Sequence, residues 1–285
     1  MTSFQLDEPL RLTKHHGLGN DFLIALVDGL PLGAPMLAQR LCDRATGVGA
    51  DGLILGIERP ADDGAIRYAF RLFNSDGSPA EVSGNGLRCF GQAVAMHRGA
   101  DELTVIAETP VGDRRIVVSS AGSATVVQAS VEMGAVHDGI AVPDDLLELV
   151  GAAGGSTAAI APGSWATGDI GNPHIVFPVD DPGAIDLPTF GAAVESVLGG
   201  INVHVIAPTG PNAISLRVWE RGAGITRACG SGASVAAKLA VDQDLVSAPV
   251  EVVMPGGSAT VALEADGVVL TGPAEFVAII EVPNG

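Results

Sequence analysis

One local arrangement occurs twice in this sequence, at a constant offset of 146 residues. Arg71-Leu-Phe-Asn74 and Arg217-Val-Trp-Glu220 each set an arginine ahead of an apolar pair and a polar residue. Nine residues beyond the polar residue stands Ser83-Gly-Asn-Gly86 in the first copy and Cys229-Gly-Ser-Gly232 in the second. A helix-like stretch follows each, Leu87-Arg-Cys-Phe-Gly-Gln-Ala-Val and Ala233-Ser-Val-Ala-Ala-Lys-Leu-Ala. A Gly-x-Gly alone is a weak signal. Strand, loop and helix start recurring together at one offset constrain the chain much further, to a duplication whose halves face each other.

Around these landmarks, β-branched runs with period-2 alternation predict strands at Phe22–Val27, Ile66–Phe73, Arg115–Val118, Ala124–Val131, Asn202–Ile206, Ile214–Trp219, Val250–Met254 and Phe276–Ile280. Helices are expected at Pro35–Cys42, Leu87–His97, Pro143–Val150, Thr189–Val197 and Ala233–Val241. Many strands with few helices indicate α+β layers rather than a doubly wound sheet. The junction is expected in Ser119-Ser-Ala-Gly-Ser123. The first half then covers 1–122 and the second 123–273, and a C-terminal strand over 274–285 returns to the first half. With 47% hydrophobic but 4% aromatic residues, the core must be mostly Val, Leu, Ile and Ala.

The paired helix starts carry the chemistry. The first N–H groups of a helix lack internal partners and form the positive end of its dipole. Flanking glycines let a ligand approach that backbone closely, so the site suits an anion such as an α-carboxylate. A cysteine there is expected to have its thiolate stabilised and its pKa drawn toward neutrality. Two such sites would grip one carboxylate and set one side chain on each face of the α-carbon, as stereoinversion requires. Taken singly, Ser83 reads as an ordinary N-cap and Cys229 as a small buried hydrophobe. Their equivalence in the duplication favours the functional reading.

Further polar residues sit in loops or at strand ends: Asn20 with Asp21, Asn172 with His174, Asn202, and Glu220 with Arg221. A turn or cap role is the ordinary explanation for each in isolation. His15 and His16 lack an i, i+4 partner, and Asn202-Val-His204 is no ligand pattern, so no metal site is expected. No P-loop or dinucleotide fingerprint occurs. A net charge of −18 and a pI near 4.5 disfavour nucleic acid and anionic membranes as partners. Cys42, Cys89 and Cys229 are too few and too scattered for a disulfide framework. With no secretory leader or spanning segment recognised, a cytoplasmic protein is expected.

Seven segments together resemble the diaminopimelate epimerase family over nearly the whole chain. They are His16-Gly-Leu-Gly-Asn-Asp-Phe22, Gly47-Val-Gly-Ala-Asp-Gly52, Phe73-Asn-Ser-Asp-Gly-Ser78, Gly84-Asn-Gly-Leu-Arg-Cys89, Gly171-Asn-Pro-His174, Glu220-Arg-Gly-Ala-Gly224 and Ala228-Cys-Gly-Ser-Gly-Ala233. The resemblance implies two pseudo-symmetric domains, each a curled sheet around a central helix, with the active site in the cleft between them. It implies inversion of one centre of diaminopimelate, linking the LL and meso forms on the lysine pathway, without pyridoxal phosphate, other cofactor or metal. By that resemblance Cys229 matches one catalytic cysteine, and Ser83 stands where the other belongs. His174 and Glu220 match residues flanking the reacting centre. Asn20, Asn74, Asn172, Asn202 and Arg221 match ligand contacts, while Gly84, Asn85, Gly230 and Ser231 supply helix-end N–H groups. The expected partner is a small amino acid, and a homodimer is compatible with the sequence.

Three positions depart from the family pattern. Ser231 replaces a threonine and keeps the hydroxyl. Ile225 replaces an acid. Ser83 replaces a thiol by a hydroxyl that is several pKa units weaker as an acid, a gap no helix end closes. Cys89 cannot substitute, being six residues, or about 9 Å, further along the helix. Impaired epimerisation is the first reading. A related racemase or dehydratase acting on another amino acid, and a non-catalytic amino-acid-binding protein, are the alternatives.

Overall fold

The computed structural model describes residues 9–61 and 64–283. Residues 1–8 of the expected first half, and the last two positions of the expected 274–285 strand, lie outside them. The chain divides into two compact units, one formed by 1–131 with 272–285 and the other by 132–271.

The first unit contains β1 (Leu10–Gly17), β2 (Asn20–Leu26), α1 (Ala34–Cys42), β3 (Gly52–Arg59), β4 (Ile66–Asn74), β5 (Pro79–Ala80), α2 (Gly84–Arg98), β6 (Leu103–Thr109), β7 (Gly112–Ser120) and most of β8 (Val126–Gly134). The second contains β9 (His137–Asp138), α3 (Leu146–Ala152), β10 (Ala166–Asp169), β11 (Pro173–Pro178), α4 (Leu187–Val197), β12 (Asn202–Gly210), β13 (Ala213–Glu220), β14 (Gly224–Thr226), α5 (Gly230–Asp242), β15 (Val250–Met254) and β16 (Gly257–Glu264). The strand β17 (Gly267–Val282) begins in the second unit and ends in the first. Ser119–Ser123 lies at the turn between β7 and β8.

The duplication extends to sheet register. In the first unit β2 pairs parallel with β3, β3 antiparallel with β4, and β4 parallel with β6. In the second, β11 pairs parallel with β12, β12 antiparallel with β13, and β13 parallel with β15. Each unit surrounds one helix. All residues of α2 from Gly84 to Ala95 are buried, as are Gly230–Ala237 in α5. A helix apolar or small on every side has no solvent face, and these two serve as the cores about which the strands curl. The outer helices are amphipathic instead. Leu37 and Leu41 of α1 pack with Leu12, Leu23, Leu53 and Phe73, and Phe190 and Val194 of α4 pack with Ile175, Phe177, Val203 and Val205. Both α2 and α5 begin earlier than the apolar pattern indicates, taking in Gly84-Asn-Gly86 and Gly230-Ser-Gly232, because the preceding side chain caps the third helical residue. Among the described residues no helix is long and apolar enough to cross a membrane.

Candidate active site

Ser83 and Cys229 are the N-caps of the two central helices, with nearly the same extended backbone: φ −141°, ψ 116° for the serine and φ −131°, ψ 114° for the cysteine. The Gly86 N–H donates to Ser83 Oγ at 3.0 Å, and the Gly232 N–H to Cys229 Sγ at 3.4 Å. The first helical bonds match as well, Leu87 N to Ser83 O at 2.8 Å and Ala233 N to Cys229 O at 2.9 Å. Gly84 with Asn85 and Gly230 with Ser231 therefore form the open first turn of each helix.

In the first unit a polar chain leads away from that turn. Asn85 Nδ2 donates to Asn20 Oδ1 at 3.1 Å, and Asn20 Nδ2 donates to Asp51 Oδ2 at 2.7 Å. Asp51 also receives Arg44, which bridges to Asp21, and Asp21 is paired with Lys14 at 2.9 Å. Burial works against the Asp21 carboxylate, but hydrogen bonds from Arg44 and Lys14 hold its pKa below the usual range. Arg88 is completely buried and donates to Asn85 Oδ1 at 2.8 Å. Burial lowers its guanidinium to about 10. Asn74 stands apart from this chain: it is exposed and donates to Ser78 Oγ at 3.0 Å across its own turn.

In the second unit the polar residues surround Cys229 and the ends of β11, β12 and β13. Ser231 Oγ lies 3.5 Å from Cys229 Sγ. Burial, and then the Glu220 carboxylate beside it, push the thiol well above the ordinary range, outweighing the contacts from Ser231 and the Gly232 N–H. The Cys229 thiol thus stands above its ordinary range rather than near neutrality as expected, because burial and the adjoining Glu220 outweigh the Ser231 and Gly232 contacts that lower it. Glu220 accepts from Thr226 Oγ1 at 2.6 Å. Asn202 donates to the Pro173 carbonyl at 2.9 Å and accepts from the Arg221 N–H at 3.0 Å, fixing the end of β13 while the Arg221 side chain is exposed.

His174 is fully buried. Its Nε2 lies 2.9 Å from Asn172 Oδ1 and its Nδ1 2.8 Å from Nε2 of His204, whose ring stacks on it with centroids 5.0 Å apart. Burial, followed by His204 and Arg221, holds His174 well below the usual imidazole pKa, and burial lowers His204 to about 3. Both rings are neutral.

Asp51, Arg88, Thr226 and His204 are the contacts that pattern reading left without a role. Asp51 lay inside a quoted segment, and His204 follows Asn202 at the two-residue spacing that puts both on one face of a strand. Cys89 is fully buried, and burial raises its thiol to about 12. Ile225 is exposed opposite Trp219, and nothing in the structure explains its presence. Among the described residues no group of three or more His, Cys, Asp or Glu could hold a metal ion.

The diaminopimelate epimerase family model matches residues 12–138 and 167–277. The diaminopimelate epimerase of Erythrobacter litoralis is 38% identical over 274 residues, covering 92% of this chain and 93% of that protein. That of Rhodospirillum centenum is 38% identical over 269 residues, covering 92% and 89%. Among solved structures, a predicted epimerase from Pseudomonas aeruginosa superposes with a TM-score of 0.77 at 17% identity, covering 97% of this chain and all of that one. A hydroxyproline epimerase from Agrobacterium vitis does so with a TM-score of 0.66 at 15% identity, covering 98% and 94%. At those identities the structural matches establish the shared fold.

Proposed function

This chain belongs to the diaminopimelate epimerase family, and from that premise we propose that it binds diaminopimelate and inverts one α-carbon between the LL and meso forms, slowed by the hydroxyl at Ser83. The observation that carries this reading is the closely matching capping geometry of Ser83 and Cys229 on two equivalent buried helices. On this reading one substrate is met by both caps. Its α-carboxylate takes N–H groups of Gly84, Asn85, Gly230 and Ser231, which stabilise the charge that develops when the α-proton leaves. Cys229 serves one face of the carbon and Ser83 the other. Glu220 flanks the thiol and favours its protonated form, so the thiol must first release its proton to solvent to act as a base. The thiolate then removes the α-proton, the electron pair spreads from carbon into the carboxylate, and the Ser83 hydroxyl slowly returns a proton to the opposite face, taking one from solvent in turn. His174 flanks the reacting centre as a neutral ring, while Asn20, Asn74, Asn172, Asn202 and Arg221 hold the remaining polar groups of the substrate. No step requires a bound cofactor or metal. The partner is a small amino acid and the setting cytoplasmic.

Each pure isomer in D₂O, followed by NMR, tests the proposal. With one thiol and one hydroxyl, one isomer should exchange its reacting α-hydrogen with retention, and the other far more slowly. Equal exchange of both isomers would sink the one-thiol, one-face assignment. Calorimetric binding with no exchange in either isomer would leave an amino-acid-binding protein as the better reading.

A further inference from the structure

The two units offer an internal comparison around the buried histidines. In the first unit Phe22 stands opposite Gly52 and Ile24 opposite Ile54 across the parallel β2–β3 pair. In the second, His174 stands opposite Asn202 and Val176 opposite His204 across β11–β12. His174 therefore takes the place of Phe22, and His204 that of Ile54. The central helices confirm the match. A Cβ on Gly86 would lie 3.2 Å from Ile54 Cδ1, and one on Gly232 would lie 2.3 Å from His204 Cε1. Each strand residue packs under the third residue of its helix.

The same pair of places thus holds hydrocarbon in one unit and two stacked imidazoles in the other. Burying imidazoles is unfavourable unless their nitrogens are bonded, and the first unit shows that the fold does not need them there. Proton positions follow from the partners. Asn172 Oδ1 accepts, so His174 carries its proton on Nε2, and its Nδ1 lone pair must accept. His204 therefore donates from Nε2, which leaves its own Nδ1 as a lone pair. That nitrogen is buried and has no partner among the described residues. Any added proton would put an N–H at this buried nitrogen with nothing to receive it, so the pair resists protonation. His204 also abuts Gly232, whose N–H donates to Cys229 Sγ.

We propose that His204 is a positioning residue of the Cys229 half: its Nε2–H, donated to the Nδ1 lone pair of His174 opposite Asn172, joins Asn172 in locking that ring as the neutral Nε2–H tautomer beneath the turn that seats the thiol. The catalytic consequence rests on the epimerase reading, but the tautomer lock does not, and the two can fail separately. Long-range ¹H–¹⁵N NMR of the ligand-free protein with labelled histidines reads the tautomer directly. His174 should remain Nε2–H from about pH 5 to pH 8. In His204→Ile, which installs the residue the first unit uses, the His174 Nδ1 signal should move as that nitrogen loses its donor, while Asn172 alone keeps the proton on Nε2. In His204→Gln, whose amide can donate from about the same place, the parent His174 Nδ1 signal should return. An Nδ1–H tautomer in the parent, or a His174 spectrum unchanged by His204→Ile, would overturn the proposal. If the isoleucine variant fails to fold, the parent spectrum and the glutamine variant decide. Where α-hydrogen exchange is measurable, His204→Ile should slow it on the order of tenfold, the worth of one hydrogen bond, and His204→Gln should recover it. Absence of exchange in the parent counts against the epimerase reading, while the tautomer result alone decides the lock.

Discussion

A hydroxyl at position 83 and a thiol at position 229 share one backbone geometry and one type of capping hydrogen bond. What separates them is proton affinity. Even raised by burial and by Glu220, the Cys229 thiol remains a stronger acid than an aliphatic hydroxyl. Ser83 Oγ accepts the Gly86 N–H, and one such bond stabilises an alkoxide far too little to bring it within reach of neutral pH. Ser83→Cys should therefore raise the epimerisation rate by roughly 10²–10⁴-fold, the usual contribution of a correctly placed acid–base group. The backbone already holds the cap conformation, so the gain should appear in kcat more than in KM. A Ser83→Cys protein as slow as its parent would show that position 83 is not the second acid–base site.

At the scale of elements, α2 and α5 were legible because duplication exposes a helix start that one copy alone would not. Ser83 and Cys229 became candidates only as a pair. The strand β3 escaped notice because Leu53, Ile54 and Leu55 are all buried, as a strand between neighbours covered on both faces must be, and no alternation survives to be read. His204 escaped for a different reason: its partner His174 is 30 residues away on a parallel strand, and spacing along one chain cannot show that. The same packing separates two outwardly equivalent glycines. A methyl at Gly232 would drive into the His204 ring at 2.3 Å, whereas one at Gly86 meets the end of a flexible isoleucine at 3.2 Å. Gly232→Ala should destabilise the protein by about 1–3 kcal/mol through overpacking, and Gly86→Ala by clearly less. Urea unfolding of the two variants side by side checks the order; equal losses would mean that His204 yields as easily as Ile54.

For the whole molecule, acid response pits two effects against each other. A net charge of −18 relaxes as pH falls toward the pI near 4.5, which lessens self-repulsion and favours the folded state. Against it stand three buried histidines. Burial lowers His15 to about 4 and His204 to about 3, and holds His174 well below the usual value. Their unfolded-state pKa is 6.5, so below it the unfolded chain takes up protons that the folded protein refuses. Stability that these groups supply is therefore present above pH 6.5 and lost as pH falls toward their folded values. Each contributes a slope approaching about 1.4 kcal/mol per pH unit once its unfolded form is mostly protonated. Asp21 adds to the loss only nearer pH 4, where carboxylates titrate. Salt separates the opposing effects, because it screens surface repulsion but leaves buried imidazoles untouched. In concentrated salt, urea midpoints should thus fall steadily from about pH 6.5 to pH 5. His204→Ile should flatten that fall by up to one proton's worth. A midpoint that rises on acidification in high salt, or a slope indifferent to His204→Ile, would mean that these rings take up protons in the folded state.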